Sequence, residues 1–586
     1  MSALGAAPPM TRPADAVQRV SWRLTPSGWA VCAVLRPGLG PALEVRSDGG
    51  RTTYEVPCLG ATSQLLPTDD GQVWMCHHRG GRHFVERLTA EGRIIPVATS
   101  SAQGLALVDE TYALEYDAGF SRLMRLEPGG LRQVAVLDGA AVGAVPLGGD
   151  RVAVDVVSGG RCSAVAVDAT TGEVEPFVSV SERSDDHVVD FVPDANLLVI
   201  STDATGHVRL GVGRPGQAPV TFPSALAGDG PATHVASSSD GSLVAVSFAV
   251  GATCQVRVVD VPTETTIPLD LPPLVVLGRG ALGGGRLVLP VSTPDRPATL
   301  LRVDLSSGRY FFDDPALPGV ASCEVIRLRG CEGALEAVVV GDVATADRVV
   351  VALHGGPLSS WKAMFDPLLA ELAEAGIAVV APNIRGSVGY GRDHALAIRD
   401  RWGGPDLDDV LAVGEAVAGM RPLGAKPPCL LGISYGAYLG ILAAERAPDA
   451  WSGCIALAPF LSGARIEAGG GPVADLVRRL GGTGSPDLRD GLDALAVPVL
   501  VLHGEDDDVV PVEESRVLDL ELGRRGQSAA VHLLPGVGHD LLASPAGQVV
   551  IDSIVGFCLN GAAPAASVSG GARQRLHVRR AEREEE

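Results

Sequence analysis

The 586-residue sequence predicts two domains of different class, an all-β N-terminal part and an α/β C-terminal part. Three observations carry this expectation. From about Val20 to Asp313, short β-type runs alternate with Gly, Asp and Ser turn clusters, with almost no helical periodicity. After Pro315, strand-like apolar runs alternate with helical patterns as far as Asn560, the texture of a parallel sheet covered on both faces. The chain is also longer than one hydrophobic core supports, since single cores stop growing at roughly 250 to 300 residues.

Within the β part a weak repeat of roughly 40 residues is visible, in the range of propeller blades. Its clearest copies end in a strand, an Asp and a turn: VAVDATTGEV at Asp168, VRVVDVPTETTI at Asp260 and LRVDLSSGRY at Asp304. Counting the stretches between turn clusters predicts a seven-bladed β-propeller, its blades beginning near Val20, Ala61, Ala102, Val142, Val189, His234 and Leu277. A β-sandwich pair or an irregular β domain is the competing reading. The expected limits are 1–19 for an N-terminal segment able to pack on the C-terminal domain, 20–315 for the propeller, 316–561 for the α/β domain and 562–586 for a disordered polar tail ending RRAEREEE.

In the α/β part, CEVIRLRGCEGALEAVVVG reads as a β-hairpin. Strands are expected at 348–355, 377–384, 428–434, 454–459, 497–504 and 529–536, with helices such as PLLAELAEAG, DLDDVLAVGEAVAGM, YGAYLGILAAERA and VVIDSIVGFCLNG between and after them.

Composition narrows the function classes. Apolar residues make up 46% and charged residues 20%, which is globular, and no apolar run approaches the roughly 18 residues of a membrane helix. A formal net charge of −22 repels phosphate backbones, and no basic stripe offsets it, so no nucleic-acid partner is expected. The N-terminus shows no apolar segment behind a basic start, which favours the cytoplasm. The ten cysteines have no paired spacing and read as reduced thiols.

The strongest chemical signal is Gly432-Ile433-Ser434-Tyr435-Gly436, placed where an apolar strand meets an amphipathic helix. This is the pattern of a nucleophile elbow in an α/β-hydrolase fold: flanking glycines permit a sharp strained turn, and the helix N-terminus favours developing negative charge. A serine hydroxyl needs a base to take its proton and a carboxylate to orient that base, in the chain order Ser, Asp, His. LHGEDDDVVP supplies three adjacent acids, Asp506, Asp507 and Asp508, after one strand, and His539 follows the next in a glycine-lined loop. The residues alone leave the choice of acid open.

Six ordered motifs extend the reading: HGGP at 354–357, PNIRGSVGYGRDH at 382–394 with the following WG, Asp406 and Asp409, GISYGAYLG at 432–440, HGEDDDVVP at 503–511, and GVGHD at 536–540. Together they make residues 320–560 resemble the prolyl oligopeptidase family of serine peptidases, especially its acylaminoacyl-peptidase branch. The resemblance implies that Asp507 is the catalytic acid, with Asp506 and Asp508 in a solvated loop. It also implies an oxyanion hole from the Tyr435 N–H and a donor in the HGGP loop, taken as Gly356. It further implies an N-terminal propeller that limits access to small peptides, and frequent self-association. One departure stands out: many family members carry Arg two positions after the catalytic Asp, and this chain has Val509.

Other features take plainer readings. Gly278-Arg279-Gly280-Ala281-Leu282-Gly283 fits a dinucleotide fingerprint, but the following GGGRLVLP reads as a turn and strand, not a helix. Cys76, His77, His78 and His83 lack paired metal-ligand spacing and read as a blade turn. Asp406, Asp408 and Asp409 sit at a helix start, where acids cap amides and complement the dipole. The sequence thus leads to a serine peptidase acting on short peptides or on N-acylated or aminoacyl amides, with no cofactor and no metal. An esterase, or an acyltransferase or cyclase using the same triad, and a non-catalytic propeller binding protein are the alternatives.

Overall fold

The structure, a computed structural model, describes residues 17–561 apart from 36–39, 48, 49, 61, 118, 206, 207, 229, 231 and 545. Most of the expected 1–19 segment and the whole 562–586 tail lie outside the described residues. The chain separates into two compact units between Leu317 and Pro318.

The N-terminal unit is a seven-bladed β-propeller of sequential antiparallel sheets, six with four strands and the last with a fifth short strand added. The blades begin at Gln18, Gln64, Gly104, Ala140, Asp186, Ala232 and Val275, each within three residues of the expected start. Second strands such as Arg151–Ser158 read as continuous apolar runs because both faces are covered. Val152 and Val154 pack toward the third blade with Tyr112 and Leu114, while Ala153 packs toward the fifth with Val188 and Ile200.

The repeated Asp closes the turn between third and fourth strands. Asp168 Oδ1 accepts the N–H groups of Thr170 and Thr171 at 2.8 and 3.0 Å, and Asp304 Oδ1 accepts those of Ser306 and Ser307 at 3.0 and 2.9 Å. The G-x-G-x-x-G stretch forms the short strand Ala281–Gly283 followed by a turn, with no helix to receive a pyrophosphate. His77, His78 and His83 belong to a hairpin, Val73–Arg79 with Arg82–Leu88, as the blade-turn reading expects.

Among the described residues no strand is shared between the first and seventh blades. Side chains join them instead. Trp22, Ala30 and Cys32 pack with Val288 and Leu300, and buried Arg46 lies between Glu44 at 2.7 Å and Asp314 at 2.8 Å.

The C-terminal unit is built on one eight-stranded sheet with strands β1 (Cys323–Gly330), β2 (Gly333–Val340), β3 (Arg348–Leu353), β4 (Ile377–Pro382), β5 (Cys429–Ile433), β6 (Gly453–Leu457), β7 (Val499–Gly504) and β8 (Ala529–Leu534). Their spatial order is β1-β2-β4-β3-β5-β6-β7-β8. The β1–β2 hairpin is antiparallel and β2 pairs antiparallel with β4, while β3 through β8 run parallel. This is the α/β-hydrolase arrangement that the sequence predicts, and the open ends of β5, β7 and β8 lie where such sheets bind ligands.

Helices α1 (Pro367–Glu374), α2 (Pro405–Gly419), α3 (Tyr435–Arg446), α4 (Gly463–Gly469), α5 (Gly471–Arg479), α6 (Glu513–Arg524) and α7 (Gly547–Asn560) accompany the sheet. Helix α3 is buried along nearly its whole length, from Tyr435 to Glu445, which explains why its sequence is apolar and small all round. Helices α4 and α5 were not among the expected elements. Their sequence, GARIEAGGGPVADLVRR, carries four glycines and a proline that mask the helical pattern. No helix among the described residues is long and apolar enough to cross a membrane.

Candidate active site

Ser434 occupies the one-residue junction between β5 and α3, with φ 53° and ψ −114°, a conformation L-residues avoid. Packing on both sides imposes it. A Cβ on Gly432 would lie 2.1 Å from the Gly436 carbonyl oxygen, and one on Gly436 would lie 2.4 Å from that of Leu353, so neither position admits a side chain. The Ser434 N–H donates to Leu457 O at 2.7 Å, tying the turn to β6. The hydroxyl therefore stands at the N-terminus of a helix, where unpaired amides favour an anion.

Of the three adjacent acids, only Asp507 is turned inward, its side chain fully buried. Asp506 and Asp508 are exposed, in line with the solvated-loop reading. Asp507 Oδ1 accepts the N–H groups of Val509 and Val510, each at 2.8 Å, and Oδ2 accepts His539 Nδ1–H at 2.7 Å. His503 Nε2 also lies 3.1 Å from Oδ2. Burial opposes the charged form, but hydrogen bonds from His503, His539 and the Val510 amide outweigh it and hold the Asp507 carboxyl well below the usual carboxylate range.

Donation from Nδ1 leaves the His539 Nε2 lone pair free to accept a proton. Ser434 and His539 line the same cavity, although among the described residues no hydrogen bond joins them. Such contacts commonly tighten only when substrate is bound.

The cavity has a volume of about 210 Å³. Trp402, Phe460, Ile466, Val473, Val477 and Val509 form its apolar wall, and Gly355, Gly356 and Tyr435 lie along it beside Ser434. Among the described residues neither the Tyr435 nor the Gly356 backbone N–H has an acceptor. The loop carrying Gly356 is braced by His354, whose ring nitrogens contact Gly355 O and Ser387 Oγ, each at 2.7 Å. Burial pushes the His354 imidazole down to about 4, so it is neutral at pH 7.

The acids at the start of α2 do more than cap a helix. Asp406 accepts from the Tyr435 hydroxyl and from the N–H groups of Gly403 and Leu407, and burial raises its carboxyl pKa. It thus anchors the residue beside Ser434. Asp409 is buried, pairs with Arg385 at 2.9 Å and accepts the Cys331 and Arg385 N–H groups at 3.1 and 3.0 Å. Dipole complementarity alone is too weak an account of either.

The sequence pattern described as "Prolyl oligopeptidase family" matches residues 363–469, a segment that includes Ser434. Over this segment the C-terminal unit is similar to the prolyl oligopeptidase family. Among curated relatives, the chain is 27% identical over 212 residues to the uncharacterized peptidase YuxL of Bacillus subtilis, covering 34% of this chain and 31% of that protein. It is 29% identical over 211 residues to the acylamino-acid-releasing enzyme of Rattus norvegicus, covering 33% and 28% respectively. The match thus spans about a third of the length of these relatives.

Solved structures are similar over nearly the whole chain. A puromycin-hydrolyzing peptidase of Mycobacterium tuberculosis superposes with a TM-score of 0.77 at 18% identity, covering 94% of this chain and 97% of that one. An acylaminoacyl peptidase of Pyrococcus horikoshii superposes with a TM-score of 0.73 at 14% identity, covering 95% and 97%. These likenesses bear on the fold.

Against the pattern of this prolyl oligopeptidase family, the departure at Val509 has a structural consequence. Where many members present Arg, this chain presents part of an apolar wall. Sequence reasoning missed two contributions. The His503 ring was quoted only as part of a motif; it donates from Nε2 toward Val510 O at 3.0 Å and accepts from Ser515 Oγ at 2.6 Å, bracing the Asp507 loop. The α5 wall, Val473 and Val477, was missed as well, although its i, i+4 spacing was legible.

Proposed function

We propose that the chain is a serine peptidase that cleaves short peptides, or N-acylated or aminoacyl amides, with a bulky apolar side chain on the acyl side of the scissile bond. The observation that carries the reading is the Asp507–His539 hydrogen bond at 2.7 Å, on a cavity that also includes Ser434 in its strained turn. In this mechanism His539 Nε2 takes the Ser434 proton as Oγ attacks the amide carbonyl, and Asp507 stabilises the imidazolium. The Tyr435 and Gly356 N–H groups receive the oxyanion. His539 then protonates the leaving amine, and water repeats the cycle on the acyl-enzyme.

The substrate preference follows from the cavity. A dry apolar cavity of about 150 Å³ holds a benzene ring, so about 210 Å³ accommodates a phenyl or branched aliphatic side chain. Among the described residues no Asp, Glu, Lys or Arg lines it, so a charged side chain would enter without a partner at a large desolvation cost. The propeller restricts access to short chains in this reading, as the family resemblance implies.

The test joins activity with preference: digestion of a mixed peptide library read by mass spectrometry, alongside fluorophosphonate labelling. Wild type is expected to cleave short peptides after apolar residues and to be labelled at Ser434. Ser434→Ala should lose activity by on the order of 10⁶-fold with the fold retained. Near-normal turnover by that variant, or cleavage after charged residues, would overturn the proposal.

A further inference from the structure

The propeller contains a side-chain cluster that peptide hydrolysis does not use. Cys58 lies in the connection between the last strand of the first blade, Gly50–Glu55, and the first strand of the second, Gln64–Pro67. His77 and Glu86 lie on the second and third strands of that second blade, Val73–Arg79 and Arg82–Leu88. In the antiparallel register Met75 opposes Glu86 and His77 opposes Phe84, so His77 and Glu86 are diagonal neighbours on one face. Three residue types suited to a transition metal, separated in sequence, are thereby brought together.

Their atoms converge. Cys58 Sγ is 3.5 Å from Glu86 Oε2, His77 Nε2 is 3.2 Å from the same oxygen, and all three ligand atoms lie within 4.8 Å of one another. A tetrahedral zinc ion with Zn–S about 2.3 Å and Zn–N and Zn–O about 2.0–2.2 Å requires an S···O edge of roughly 3.5 Å and an N···O edge of roughly 3.3–3.5 Å. Two edges of that tetrahedron are therefore already present to within a few tenths of an ångström.

The His77 side chain is only 6% exposed, and its ring stacks on Phe84 with centroids 5.5 Å apart and planes inclined by 13°. Its Nδ1 has no partner among the described residues, so stacking, not a second hydrogen bond, holds the ring with Nε2 toward the cluster. Burial and the neighbouring Glu86 carboxylate push the Cys58 thiol up to about 11, a balance that a divalent cation reverses by pairing with thiolate and carboxylate together.

We infer that Cys58, His77 and Glu86 form a zinc site that clips the chain leaving the first blade to the central hairpin of the second. Binding releases the thiol proton to solvent; one thiolate and one carboxylate then balance the two charges of the ion, with a neutral imidazole as third ligand and water as fourth. Thiolate and imidazole select zinc over magnesium or calcium, which take oxygen ligands.

The test uses the full chain, stripped with a chelator and titrated with zinc chloride alone. Wild type is expected to retain one equivalent of zinc through gel filtration and to unfold at a higher temperature with the metal than without it. Cobalt(II) in place of zinc should give a near-ultraviolet thiolate-to-metal absorption that Cys58→Ser lacks. Zinc should also slow alkylation of Cys58 by iodoacetamide while leaving exposed Cys331 unprotected.

Glu86→Gln keeps the thiol and provides a second variant should Cys58→Ser fail to fold. It should weaken zinc binding by more than the roughly 10- to 100-fold that loss of an outer-sphere partner costs. Failure of wild type to hold zinc at micromolar concentration would overturn the inference. So would equal affinity in wild type and Glu86→Gln, or absence of the thiolate absorption in wild type.

Discussion

Replacing Asp507 by Asn tests the proposed triad without changing its shape, and the structure dictates which way the amide must turn. Oδ1 of Asp507 accepts two backbone N–H groups, from Val509 and Val510, at 2.8 Å each. An asparagine must place its carbonyl oxygen there, because an NH₂ group would face two donors. Its NH₂ is then forced into the position of Oδ2, 2.7 Å from His539 Nδ1. Nδ1 must become the acceptor, the proton moves to Nε2, and the imidazole presents a donor where the reaction needs a base. The same NH₂ also meets the His503 Nε2 donor, which lies 3.1 Å from Oδ2.

Loss of the correct tautomer in a triad of this type lowers kcat by on the order of 10⁴, about 5 kcal/mol in activation free energy. Asp507→Asn should therefore lower kcat on an N-acyl-Phe anilide by about that factor while substrate binding changes little. Its folding free energy should fall by roughly 1.5–3 kcal/mol for the lost charge-assisted hydrogen bonds, read by urea unfolding. A folded variant with kcat within tenfold of wild type would refute the tautomer argument and with it the role given to Asp507.

Narrowing the cavity with Val477→Trp should lower kcat/KM for substrates with Phe on the acyl side by more than about tenfold and leave those with Ala within a few-fold, since bulk is excluded and chemistry untouched; equal losses on both would count against the cavity as the specificity pocket. Burial holds His354 neutral down to about 4 against 6.5 in the unfolded chain. Between those values the unfolded state binds more protons, so stability rises with pH across that window and is lower by about 3 kcal/mol at pH 4 than at pH 7 from this group alone. Urea midpoints measured across the range should show the slope, reduced in His354→Gln. In the propeller, Arg46→Met removes one of two close partners of buried Glu44, 2.7 Å from the guanidinium, and leaves Arg19 at 2.9 Å, so it should destabilise that unit by roughly 1.5–3 kcal/mol in thermal or denaturant unfolding; an unchanged transition would show that the ion network between first and seventh blades is dispensable.

Much of the architecture was legible because it depends on patterns local in sequence. The alternation and turn chemistry around Asp168, Asp260 and Asp304 mark blade ends, and counting the stretches between turn clusters gives the seven starts. Gly432 and Gly436 mark the elbow because a side chain at either position collides with backbone. The order of β4 and β3 in the sheet, the pairing of Asp409 with Arg385 and the anchoring of Tyr435 by Asp406 were not legible, since each joins residues far apart along the chain.

By itself the sequence determined which groups were available: a serine on a forced turn, a histidine in a loop and three acids, along with the division into β repeats and an α/β unit. The tertiary structure decided among equals. It turned Asp507 inward onto two amides and left Asp506 and Asp508 in solvent, set Val473, Val477 and Val509 as one apolar wall, and brought Cys58 to His77 and Glu86. The physical reason is common to all three. Periodicity and turn preference are properties of neighbouring residues, whereas burial, tautomer and ligand geometry belong to the space that distant segments enclose only after packing.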